Sequence, residues 1–202
     1  MRRLFIAIDL PDTVVAQLTK LCHGLPEAHW IPEDQLHLTL RFIGESSDEL
    51  YADIKDALKT LKLQHFELVL QGIGYFKPAR QGHVLWTGLA ESPQPLLALQ
   101  TAIEQCLNTL GLAREKREFT PHVTLARLKT VSPVRLEAYV REFGTFQSIP
   151  FRAESFNLYR SQLTRKGAIH SVEASYPLWP KTTSVLEQKL LLYDHEKNTN
   201  QS

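Results

Sequence analysis

His37-Leu38-Thr39-Leu40 decides the reading of this chain, because its pattern returns 85 residues later as His122-Val123-Thr124-Leu125. In a strand, side chains alternate between faces, so His37 and Thr39 point one way while Leu38 and Leu40 point the other. The second copy separates His122 and Thr124 from Val123 and Leu125 in the same manner. Each copy therefore carries one imidazole and one hydroxyl on a polar face, backed by an apolar face suited to a core. Two such strands side by side would gather two histidines and two threonine hydroxyls around one small anionic group.

Working outward, Leu4 to Leu10 reads as a strand, and Pro11-Asp12 opens a helix to about Leu25. Trp30 to Asp34 reads as a loop before the first motif strand, Leu36 to Gly44, and Leu50 to Leu61 as a helix capped at Ser46-Ser47-Asp48-Glu49. His65 to Phe76 and His83 to Leu89 make a hairpin; Leu96, Leu99, Ile103, Leu107 and Leu110 then keep helical spacing up to Gly111. The second motif strand spans Phe119 to Leu128, a short helix follows Ser132-Pro133, and Ile149 to Leu163 with Ala168 to Leu178 forms a closing hairpin. The order describes two related halves. The expected fold is α+β and bilobal, with two pseudo-symmetric antiparallel sheets flanked by helices around a central cleft. Residues 1–180 form this domain; residues 181–202 are expected to be a tail, with a possible helix over Val185 to Glu196 and a disordered polar end.

Composition limits the rest. At 202 residues, 43% hydrophobic and 22% charged, the chain needs no disulfide staple, and a net charge of +1 excludes a non-specific nucleic-acid coat. Cys22 and Cys106 both fall in expected helices, which favours buried free thiols in a reducing compartment. The apolar run after Arg2-Arg3 is too short for a signal peptide, and no window approaches a membrane span, so a cytoplasmic protein is expected. His83 and His170 lack partners at metal-ligand spacing and read as surface or hairpin histidines. No metal and no cofactor are expected. The loop cations, among them Lys77, Arg114, Arg117 and Arg160, read as solvated unless several line the cleft.

Two histidines flanking a phosphorus supply both the base and the acid that in-line cleavage of a phosphodiester requires near neutral pH. Thr39 and Thr124 offer donors to phosphoryl oxygens, and a nearby arginine would hold developing charge. A strained 2',3'-cyclic phosphate needs no metal for this. Phe5 emerges opposite the stripe Leu4, Ile6, Ile8, so it is a candidate for stacking a nucleobase or for the core.

Arg3-Leu4-Phe5-Ile6-Ala7-Ile8, His37 to Gly44, and Phe119 to Arg127 together resemble the two-histidine phosphoesterase superfamily. Within it the chain is most similar to the bacterial and archaeal RNA 2',3'-cyclic phosphodiesterases, also called 2'-5' RNA ligases. The resemblance covers about residues 3 to 178. It implies hydrolysis of 2',3'-cyclic phosphate ends of RNA to 2'-phosphomonoesters, with reversible 2'-5' ligation; the chain is expected to act as a monomer, without a metal, on RNA ends that include tRNA fragments. It also implies His37 as proton donor, His122 as proton acceptor, and Thr39, Thr124 and Arg127 as phosphate contacts. The residues themselves do not say which histidine is acid. Strict alternation places Arg127 on the apolar side and Arg41 beside His37 and Thr39, so Arg41 is kept as a second arginine candidate. The competing readings are a phosphodiesterase for small cyclic nucleotides or 2'-5' linked oligonucleotides, a non-catalytic RNA-end or nucleotide binder, and a metallohydrolase.

Overall fold

Arg2–Asp9 forms β1, and its central position follows from composition: Leu4, Phe5, Ile6, Ala7 and Ile8 are all buried, the signature of a strand covered on both faces. The computed structural model describes residues 1–26, 28–77, 82–91, 93–164 and 167–180. The expected tail, residues 181–202, lies outside the described residues, as do Arg80, Arg165 and Lys166, which the sequence also gives as solvated loop cations.

Along the chain β1 is followed by α1 (Asp12–Thr19), β2 (Ala28–Trp30), a 3-10 turn (Glu33–Gln35), β3 (His37–Ser46), α2 (Asp48–Leu58), β4 (Phe66–Leu68) and β5 (Leu70–Phe76). Then come β6 (His83–Leu89), α3 (Gln94–Thr109), β7 (Val123–Leu128), α4 (Pro133–Phe143), β8 (Phe151–Ala153), β9 (Ser155–Thr164) and β10 (Gly167–Pro177). The fold is α+β. One eight-stranded antiparallel sheet runs β10-β9-β1-β3-β7-β6-β5, with β2 paired to β7, while β4 and β8 form a second sheet of two strands.

The two halves meet at a narrow seam. β1 and β3 pair along eight positions, but β3 and β7 share the single register pair Leu38↔Val123. Behind that seam runs one continuous apolar cluster. It joins Leu38, Leu40, Val123 and Leu125 to Val14 and Leu18 of α1, Ile54 and Leu58 of α2, Leu136 of α4 and four residues of α3. Those four, Leu96, Leu99, Ile103 and Leu107, are buried at the spacing that the sequence predicted, each contributing about 1.5–3 kcal/mol. At α2 the Ser47 hydroxyl accepts from Leu50 N–H at 3.2 Å, a cap worth about 1 kcal/mol.

Several boundaries differ from the sequence reading, each for a local reason. α1 ends at Thr19 rather than Leu25 because Leu21 and Cys22 bond back only three residues and Gly24 turns the chain at φ +79°. Cys22 is therefore in a turn, and both free thiols are half-buried rather than buried. Trp30 belongs to β2 instead of a loop. The run from His65 to Phe76 breaks at Val69, because Leu70 exchanges bonds with Ser148: its N–H donates to the Ser148 hydroxyl, and its carbonyl accepts from Ser148 N–H. The segment Ile149 to Leu163 divides likewise at Glu154, whose carbonyl accepts from Leu178 N–H. Finally, β7 begins at Val123, not Phe119, since Pro121 has no N–H to give to a ladder.

Candidate active site

The Leu38↔Val123 pair assembles the two motifs. In an antiparallel pair, stepping one residue along one strand steps back along the other, so His37 comes opposite Thr124 and Thr39 opposite His122. All four side chains lie on the face away from Leu38 and Val123, both of which are fully buried. The histidines are then diagonal neighbours, with Cβ atoms about 7–8 Å apart by sheet geometry and each beside a hydroxyl. Neither Thr39 nor Thr124 spends its hydroxyl on a partner among the described residues.

Each imidazole is tethered to the backbone two residues upstream. His122 donates from Nδ1 to the Thr120 carbonyl at 2.7 Å, which leaves Nε2 as the acceptor of the neutral ring. The backbone of Gln35, likewise two residues upstream, favours the protonated His37 ring. Burial, then the neighbouring His170, lowers the His37 pKa to about 4, and His122 adds to that effect. Burial also lowers the pKa of His122. His37 is therefore neutral near pH 7.

Aromatic rings fix both imidazoles. His37 stacks on Phe5 at 5.0 Å and meets His170 edge-on at 5.7 Å; His122 meets Phe76 edge-on at 5.0 Å, with Trp86 at 6.3 Å. Trp86 lies over Gly74, where a Cβ would come within 2.4 Å of the indole, so glycine is what lets the ring lie there.

The arginine problem is resolved by two bulges. Adjacent residues Ile6 and Ala7 pair with Arg41 and Thr39, leaving Leu40 as an extra residue in β3; Leu85 and Trp86 pair with Ala126 and Thr124, leaving Leu125 extra in β7. Each extra residue reverses the alternation beyond it. Arg127 consequently shares the polar face with Thr124, is exposed, and has no ion pair among the described residues. Arg41 is turned to the face of Ile6. There its guanidinium sits 2.8 Å from Glu104 of α3 and donates to the Ala113 carbonyl, so Arg41 is a structural ion pair and not a phosphate contact.

Of the two roles expected for Phe5, the structure shows the core. At 1% exposure, stacked between His37 and Tyr159, it offers no face to a nucleobase and serves as packing beneath His37. Phe42 was passed over in the sequence, although it is 57% exposed and pairs with Phe5 across β1 and β3. Its signal was available: it stands five residues after His37, as Arg127 stands five after His122. His170 was dismissed as a surface or hairpin residue, yet it reaches His37 from β10, and no sequence spacing announces that. Tyr159 and Asn157 both donate to the Asp9 carboxylate, which is paired in register with His37. Among the described residues no cluster of three or more His, Cys, Asp or Glu has a geometry suited to a metal ion, and no helix is long and apolar enough to cross a membrane.

Fold and site together define a class: two histidines, one opening β3 and one immediately before β7, each with its threonine, at the seam of an antiparallel sheet. The chain belongs to the 2'-5' RNA ligase superfamily, whose family model matches residues 7–165. It is 34% identical to the RNA 2',3'-cyclic phosphodiesterase of Aeropyrum pernix over 69% of this chain and 80% of that protein. It is 31% identical to the Thermotoga maritima protein of the same name over 84% and 92%. Among solved structures, Escherichia coli LigT complexed with 3'-AMP superposes with a TM-score of 0.73 at 28% identity, covering 88% of this chain and 98% of LigT.

Proposed function

We propose that this protein hydrolyses 2',3'-cyclic phosphate ends of RNA to 2'-phosphomonoesters by acid–base catalysis between His122 and His37, without a metal ion. Water attacks the phosphorus and gives a proton to Nε2 of His122; the bond from phosphorus to the 3'-oxygen breaks, and that oxygen takes a proton from His37. His122 suits the base, because its Nδ1–H is committed to Thr120 and its Nε2 is bare. His37 becomes the acid only with substrate in place. The negative charge of the phosphodiester favours the imidazolium and offsets the burial that keeps the empty ring neutral, so binding takes up a proton. Thr39, Thr124 and Arg127 hold the non-bridging oxygens as charge grows on them. A 5'-hydroxyl in place of water gives a 2'-5' bond by the same route.

The observation that carries this reading is the diagonal placement of the two imidazoles about the Leu38↔Val123 pair. The substrate class is supported by the relatives named RNA 2',3'-cyclic phosphodiesterase. The test is incubation of a short RNA ending in a 2',3'-cyclic phosphate, and of the corresponding mononucleotide, with protein and chelator, followed by identification of the terminal phosphate. A 2'-phosphate on the RNA is the expected product. Turnover of the mononucleotide alone would move the substrate to small cyclic nucleotides, and a 3'-phosphate would overturn the assignment of the leaving oxygen.

A further inference from the structure

His170 stands three strands away from His37 in the order β10-β9-β1-β3, about 14 Å across the strands of a flat sheet, and is offset along them as well, since its register leads through Ser161 to Arg3 whereas His37 pairs with Asp9. Its ring nevertheless lies 5.7 Å from that of His37 and 4.9 Å from Phe5, so the sheet curls and carries β10 over the polar face. His37 and His170 both line a cavity of about 440 Å³, together with Asp9, Glu33, Asp34 and Tyr159.

Two features of this cavity limit what enters it. Among the described residues no lysine or arginine lines it and several carboxylates do, which disfavours a phosphate within it and suits an uncharged group rich in hydroxyls. Within it, His170 Nδ1 is closed to solvent and has no hydrogen-bond partner among the described residues. A proton there would be buried without an acceptor, so the neutral ring carries its proton on Nε2, the nitrogen left at the cavity. The ring is thus a neutral donor next to the proposed acid.

We propose that His170 is a third substrate-contacting histidine, whose Nε2–H holds the ribose on the departing side by donating to the oxygen that His37 protonates. This rests on the hydrolytic reading above. The phosphate stays at the seam between the motifs, and the ribose extends past His37 into the acidic cavity.

The experiment compares the parent with His170→Phe and His170→Asn on RNA ending in a 2',3'-cyclic phosphate, with thermal midpoints and 2'-AMP affinity measured alongside. His170→Phe keeps a flat ring against Phe5 but has no donor; it is expected to lower kcat/KM by about 10- to 100-fold and to weaken 2'-AMP binding. His170→Asn restores an N–H and should recover much of the loss. Both variants remove the influence of His170 on the His37 pKa, so the His37 limb of the pH profile should move upward alike in both, and the two are compared at their own pH optima. Parent-like kcat/KM and 2'-AMP affinity in His170→Phe would overturn the inference. An equal loss in both variants at their own pH optima would overturn it too, since His170 would then act only through His37. A parent that fails on every cyclic phosphate defeats the hydrolytic reading instead, and the two failures are told apart by the parent's own activity.

Discussion

The two motif copies, His37-Leu38-Thr39-Leu40-Arg41-Phe42 and His122-Val123-Thr124-Leu125-Ala126-Arg127, share a backbone plan and differ at one position that matters. Both place histidine, threonine and the fifth following residue on the polar face, because both insert an extra leucine after the threonine. The fifth residue is Phe42 in one copy and Arg127 in the other. A site symmetric in its histidines and threonines is thereby made asymmetric, with an exposed aromatic ring on one half and, on the other, a cation that has no ion pair among the described residues.

The largest effect should come from the shared part. His37→Asn and His122→Asn are each expected to lower kcat by about 10³-fold while leaving the fold intact, measured as turnover beside a thermal melt. The unshared part comes next: Arg127→Met should cost about 100-fold in kcat/KM, whereas Arg41→Met should leave turnover near that of the parent. Arg41→Met should instead lower stability by about 2 kcal/mol in urea unfolding, because Glu104 loses its partner. If Arg41→Met reduced turnover as Arg127→Met does, the two bulges would be in the wrong register.

The burial of His37 can be read from stability against pH. Its folded pKa of about 4 lies below the ordinary 6.5, so above pH 6.5 the ring is neutral in both states and has no effect. As pH falls from 6.5 to 4 the unfolded chain takes up the proton first, and about 3 kcal/mol of stability is lost. His37→Asn should show a smaller loss over that window. The smallest effects belong to the hydroxyls: Thr39→Val and Thr124→Val should each reduce kcat/KM about tenfold, through one lost donor to the phosphate.

What was legible in the sequence follows the range over which each signal acts. The motif strands, the α3 stripe and the α2 cap are patterns of adjacent residues, and the structure keeps them. Arg41 and Arg127 were misplaced because alternation assumes an unbroken pleat, and a bulge is set by pairing with a neighbouring strand that the local sequence does not display. The same limit hid the breaks at Val69 and Glu154, where bonds arrive from residues 148 and 178. Phe5 looked available because parity reports a face without saying what covers it, and Tyr159 covers it from β9. His170 was hidden most completely, since only the curl of the sheet brings β10 to His37.

The central claim is that one register pair, Leu38↔Val123, makes two motif copies into one catalytic unit. The most direct test is the turnover of His37→Asn, His122→Asn and the double variant on RNA with a 2',3'-cyclic phosphate end. Residues acting as a unit are strongly non-additive, so the double variant should be scarcely slower than either single one. Losses that multiply in the double variant, or a single variant that retains more than about a tenth of parental turnover, would contradict the claim.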